Sequence, residues 1–177
     1  PKPTYFFQFV MQSITVEIKN LDEDIPKIVR DVEFDDNFNE EIKPSVFPDN
    51  IRTLKMGWNF NQEIKPNVLP DNLHELYFGK EFNKEIKPKA LPDNLHTLQF
   101  GLYFNKAIKP NTLPANLHTL GFGRDFNSEI NPKGLPDNLH TLVFGLHFNQ
   151  DIKPKTLPAK LQTLIFGHYF NQEIQSN

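Results

Sequence analysis

The chain has 177 residues, 38% hydrophobic and 23% charged, and carries a net charge of -3 with no cysteine. The missing cysteines remove disulfides, thiolate nucleophiles, zinc fingers and iron–sulfur clusters, and the acidic balance removes the electrostatic case for a nucleic-acid binder. No apolar run approaches the roughly 20 residues that a membrane span requires.

Residues 1–24 resist alignment with the rest of the chain. Ile14, Val16 and Ile18 alternate with Thr15, Glu17 and Lys19, the signature of a half-buried strand. Phe6, Phe7 and Phe9 add apolar bulk beside it. This stretch is predicted to be an N-terminal β cap, because a stacked array must cover its first coil.

From residue 25 a period of 22 residues takes over. Residues 25–46 form a weak first unit, with Asp35 where later units carry Gly. Phe-Asn then recurs at 38–39, 60–61, 82–83, 104–105, 126–127, 148–149 and 170–171 without an insertion. Gly follows the same step from Gly57 to Gly167, and Ile from Ile42 to Ile174. One unit, residues 91–112, reads L-P-D-N-L-H-T-L-Q-F-G-L-Y-F-N-K-A-I-K-P-N-T.

Within that unit Leu95–Phe100 reads as a short strand with Leu98 and Phe100 facing inward. Pro88 and Pro92 would break any helix on that side, and the segment between them is expected to run extended or as polyproline II. The Gly after the strand is expected to turn the chain with a positive φ. The Asn of each Phe-Asn pair is expected to face inward and bridge successive coils. The fold predicted for residues 25–177 is all-β: a right-handed parallel solenoid, leucine-rich-repeat-like, with 22-residue coils and almost no α-helix. It comprises six full coils and a partial seventh.

The motifs L-P-D-N-L-H-T-L-x-F-G and F-N-x-E-I-K-P resemble FNIP repeats, relatives of the leucine-rich repeat found in social amoebae and in giant viruses that infect amoebae. The resemblance covers residues 25–174. It departs from the family name at Glu63-Ile64, Glu85-Ile86 and Glu129-Ile130, where the name implies Pro after Asn-x. It implies a solenoid that binds proteins, often behind an F-box. Residues 1–24 are too short and too strand-like for one. The lack of Cys and of Asn-x-Ser/Thr sequons fits a cytoplasmic chain, in the host cytoplasm for a virus, with the virion as the other setting.

No residues are assigned to catalysis, metal or cofactor binding. His74, His96, His118 and His140 recur with the period, but Arg52 and Gln162 replace them in flanking units. Glu63, Lys65, Glu85 and Lys87 bracket inward Ile residues and point out, not toward one another over a cleft.

Specificity is expected where the repeat varies. One outward strand column changes in every unit: Lys55, Tyr77, Gln99, Gly121, Val143 and Ile165. The pairs after Gly change too, giving Trp58-Asn59, Lys80-Glu81, Leu102-Tyr103, Arg124-Asp125, Leu146-His147 and His168-Tyr169. From these, Lys55, Trp58, Tyr77, Gln99, Tyr103, Val143, His147, Ile165 and Tyr169 are the predicted partner-binding residues, for a protein partner on the concave sheet and its rim. At the other end of the stack Leu164, Phe166, Phe170 and Ile174 lack a covering coil. They form the alternative surface, for self-association into a homodimer or a surface layer.

Overall fold

The computed structural model describes residues 15–21 and 25–174. The expected apolar residues Phe6, Phe7, Phe9 and Ile14 lie outside them. Among the described residues, eight short strands form one wholly parallel sheet in chain order. They are β1 (Thr15–Ile18), β2 (Asp31–Phe34), β3 (Thr53–Lys55), β4 (Glu75–Tyr77), β5 (Thr97–Gln99), β6 (Thr119–Gly121), β7 (Thr141–Val143) and β8 (Thr163–Ile165). From β2 onward each strand pairs with the residue 22 positions on, Leu54↔Leu76↔Leu98↔Leu120↔Leu142↔Leu164. β1 joins the same edge out of period, with Val16↔Val32 and Ile18↔Phe34.

The strands are short because so few residues obey the strand period. In β5, Leu98 points into the core while Thr97 and Gln99 face outward. Next come Phe100, buried, and then Gly101, after which the chain turns to bury Phe104. Repeated down the stack, these positions make two Phe columns in face-to-face contact, such as Phe100 and Phe104 with centroids 3.8 Å apart. Burial of this aromatic spine, not helix or long-strand propensity, is what the 22-residue unit supplies to stability.

Ring spacing also reports curvature. Histidines at the start of the strands stack at 5.1 Å from coil to coil. The Phe column just after the strands runs at 5.4 to 5.7 Å, and the Phe-Asn column at 5.8 to 6.1 Å. The coils fan apart away from the sheet, so the sheet lies on the concave side.

Three local expectations are corrected. No Gly has a positive φ. Instead the Gly column permits close packing: a Cβ on Gly101 would overlap the backbone carbonyl oxygen of Gly79, one coil back. Positive φ falls on the residue after the second Pro of each unit, as at Lys89 (φ 62°) and Asn111 (φ 62°). Ala90 N donates to Lys87 O across that step (3.1 Å), so Pro88-Lys89 forms a β-turn of type II pattern in place of polyproline II. Finally, the Asn ladder exists but sits at the surface. Asn105 N donates to Asn83 Oδ1 (3.0 Å) and Asn127 N to Asn105 Oδ1 (2.9 Å), on exposed or half-buried residues.

Candidate partner-binding face

The predicted partner-binding residues fall into two adjacent columns. Lys55, Tyr77, Gln99, Val143 and Ile165 stand on the outward face of β3, β4, β5, β7 and β8. Lys55 lies 3.6 Å from Glu33 on the neighbouring strand. The Tyr77 hydroxyl donates to Glu75 (2.8 Å), and partial burial, aided by that carboxylate, raises the phenol above its ordinary range. Gln99 Nε2 donates to the Phe100 carbonyl (3.1 Å) and its amide folds over Gly121. The Gln99 amide therefore fills the gap that Gly121 leaves in this face.

Trp58, Tyr103, His147 and Tyr169 belong to the rim, where the chain leaves the strand. Trp58 is 61% exposed and Tyr169 55%. The geometry here is a chain of cations, rings and carboxylates running from coil to coil. Lys80 Nζ lies 5.3 Å from the Tyr103 ring centre, and the Arg124 guanidinium 5.6 Å from it. Arg124 also donates Nε and Nη2 to the two oxygens of Asp125 (2.8 and 3.3 Å). This hydrogen bond holds the Asp125 carboxyl below its usual range. His147 Nδ1 lies 3.1 Å from Asp125 Oδ1, and the His147 ring sits 5.5 Å from Tyr169.

Lys80, Arg124 and Asp125 were missed as site residues, although they organise the rim around Tyr103. Their sequence signal was present in the variable pairs after Gly. What hid it is that each pair's partner lies 21 to 23 residues away.

On the opposite wall the charges are also paired between coils. Lys65 bonds Glu41, Lys109 bonds Glu85 and Lys153 bonds Glu129. Ala107 and Asn131 interrupt this ladder, and there the backbones come together as the bridge Ile108↔Ile130. The histidine column stacks with nearly parallel rings, 8° apart for His96 and His118. Parallel imidazoles aim their lone pairs along parallel planes, so two neighbours cannot converge on one metal ion. Burial, with Arg52 and His96 assisting, pushes the His74 imidazole below its usual range.

A parallel stack with 22-residue coils and a one-sided sheet, without helix among the described residues, defines a leucine-rich-repeat-like solenoid. The FNIP Repeat family model matches residues 19–59, 60–103, 104–147 and 148–177, and the chain belongs to that family. Among solved structures it is similar to the crystal structure of CroV588 from the giant virus CroV, described as a novel circular LRR protein structure. The two share 39% identity and a TM-score of 0.69 over 84% of this chain. That match covers 25% of CroV588, so the chain spans about a quarter of its relative's length. No curated protein sequence matches the chain.

Proposed function

We propose that the chain is a non-enzymatic scaffold that takes a protein partner on its concave sheet and post-strand rim, with β1 covering the N-terminal edge of that sheet. The observation that carries this reading is the contrast between columns. Packing positions repeat the same residue type, while one outward column of the sheet face and the rim change from coil to coil, and the rim holds the ordered Lys80–Tyr103–Arg124–Asp125–His147–Tyr169 array. Rigid aromatics and an oriented guanidinium supply contact area at low entropic cost. Ala at Trp58, Tyr77 and Tyr103 abolishes capture of a cellular partner while circular dichroism stays native. The same changes at Glu63, Glu85 and Lys87 leave capture intact. A partner that responds only to the second set places the site on the opposite wall.

A second reading is self-association through the last coil. Leu164, Phe166 and Phe170 are partly exposed, and Ile174 is 50% exposed, where their counterparts Leu142, Phe144, Phe148 and Ile152 are buried. Light scattering during size-exclusion chromatography tests it. A dimer converted to monomer by Ile174→Lys supports the reading, and a wild-type monomer at high concentration ends it.

A further inference from the structure

The residue immediately after each Gly forms an outermost column along the stack: Trp58, Lys80, Leu102, Arg124, Leu146 and His168. Apolar and basic side chains alternate in it, one per coil. The three apolar members are 61%, 40% and 39% exposed in that order, an unusual expenditure of apolar surface. The acids of the rim, Glu81 and Asp125, stand one residue further along the chain. Asp125 is tied to Arg124 through two of its nitrogens, which leaves the remaining guanidinium nitrogen with donors for another carboxylate. The Lys80 ammonium is 3.8 Å from Glu81, a loose pairing that leaves its donors available as well. From Trp58 to His168 the outer column thus offers apolar and basic side chains by turns, and its acid, Asp36, stands in the first coil before Trp58.

Its spacing selects the occupant. The Phe columns that flank the rim in the chain repeat from coil to coil at 5.4 to 5.7 Å before each Gly and at 5.8 to 6.1 Å after it. The α-helix has a pitch of about 5.4 Å, so a helix lying along the stack sets one turn against each coil. An extended strand, at about 3.3 Å per residue, or polyproline II, at about 3.1 Å, drifts out of step with such a column.

We propose that the rim binds an amphipathic α-helix of a partner protein whose successive turns alternate between apolar and acidic side chains. This rests on the rim reading above and adds the chemistry of the partner. Apolar residues at helix positions i, i+7 and i+14 pack on Trp58, Leu102 and Leu146. Asp or Glu at i+4, i+11 and i+18 meets Lys80, Arg124 and His168. The helix docks by its apolar face, and its charges fix the register.

The test uses stapled helical peptides without Trp, because Trp58 is the only Trp in the chain and its emission reports the site directly. One peptide carries Leu and Glu alternating by turn, as above. A second has identical composition with the three Leu on consecutive turns and the three Glu on the next three, so that no sliding restores the match. A third is the alternating peptide with the staple replaced by two Pro. The expected result is a saturable Trp58 shift with the alternating helix at least ten-fold tighter than with either control. Arg124→Glu weakens it at least ten-fold, and a peptide with Lys at i+11 restores it. Equal affinity for the segregated peptide overturns the alternation, and equal affinity for the Pro-interrupted one overturns the helix. Either result leaves the rim itself to be judged by the capture experiment above, which requires no helix.

Discussion

Gly101 and Leu102 are neighbours in the chain and obey opposite rules. Gly101 belongs to a column that tolerates one residue type from Gly57 to Gly167, whereas Leu102 belongs to one that holds a different residue in nearly every coil. The difference is one of distance. At Gly101 the previous coil's backbone is so close that even a Cβ has no room. At Leu102 the side chain leaves the stack and meets solvent. A repeat fixes what its neighbours press upon and leaves free what they do not. The free column is therefore where one coil can differ in function from the next.

The largest effect expected is at the fixed column. Gly101→Ala drives a methyl into the Gly79 carbonyl, a backbone group that cannot swing aside. It destabilises the chain by about 3 kcal/mol or more, the upper range for overpacking. Gly121→Ala is the sharper half of the comparison. That Gly lies on the sheet face, where the three atoms nearest an added methyl all belong to the movable amide of Gln99. Ala there changes stability by no more than about 1 kcal/mol, and it gains what Gly loses in strand entropy. Urea denaturation of the two variants checks the pair. Equal losses would show that the stack relaxes along its axis and that close approach is not what selects Gly.

The Asn ladder predicts an intermediate effect. Asn105 Oδ1 accepts from Asn127 N (2.9 Å) and from the Ser128 hydroxyl (2.7 Å), on the open side of the coil. Because water can replace those donors, Asn105→Ala costs about 0.5–1.5 kcal/mol. A loss as large as that of a buried, unsatisfied amide would mean the ladder carries more of the coil spacing than its exposure implies. An unchanged melting curve would mean the ladder is incidental to the Phe spine beside it.

These cases also mark how far the sequence could be read. The period, the parallel stack, the inward Leu and Phe columns and the absence of helix among the described residues all follow from residue spacing alone. They rest on burial, which a repeat writes plainly. The reason for each Gly did not follow, because positive φ and close approach both call for glycine and only the previous coil's carbonyl tells them apart. The true left-handed position carries Ser45, Asn67, Lys89, Asn111, Lys133 and Lys155. Only its two Asn hint at that backbone, and the preceding Pro is the better signal, since it fits the second position of a type II turn. The rim array was half legible for a related reason. Its aromatics stood out as residues the core does not need, but Arg124 and Lys80 gain meaning only once Tyr103 is seen between them.

The histidine column lies between the two rules, nearly uniform like the core yet only half-buried, and it gives the smallest effect. His74 stacks on His96 at 5.1 Å and lies in the field of Arg52, so its imidazole is held below its ordinary range by burial first and these neighbours second. A base with a depressed folded-state pKa binds its proton more readily in the unfolded chain. At neutral pH neither state is protonated and the group contributes nothing to the pH dependence. As pH falls through the ordinary imidazole value of about 6.5, the unfolded state takes up the proton first and stability declines. The decline stops once pH passes below the folded-state value. His74→Gln removes that contribution while keeping the column's shape, because Gln162 already occupies the same position in the last coil. The variant matches wild type in urea midpoint near pH 8 and exceeds it slightly near pH 5. A variant that loses stability equally at both pH values would show that the ring serves by stacking alone, and would move this column to the side of the Phe spine.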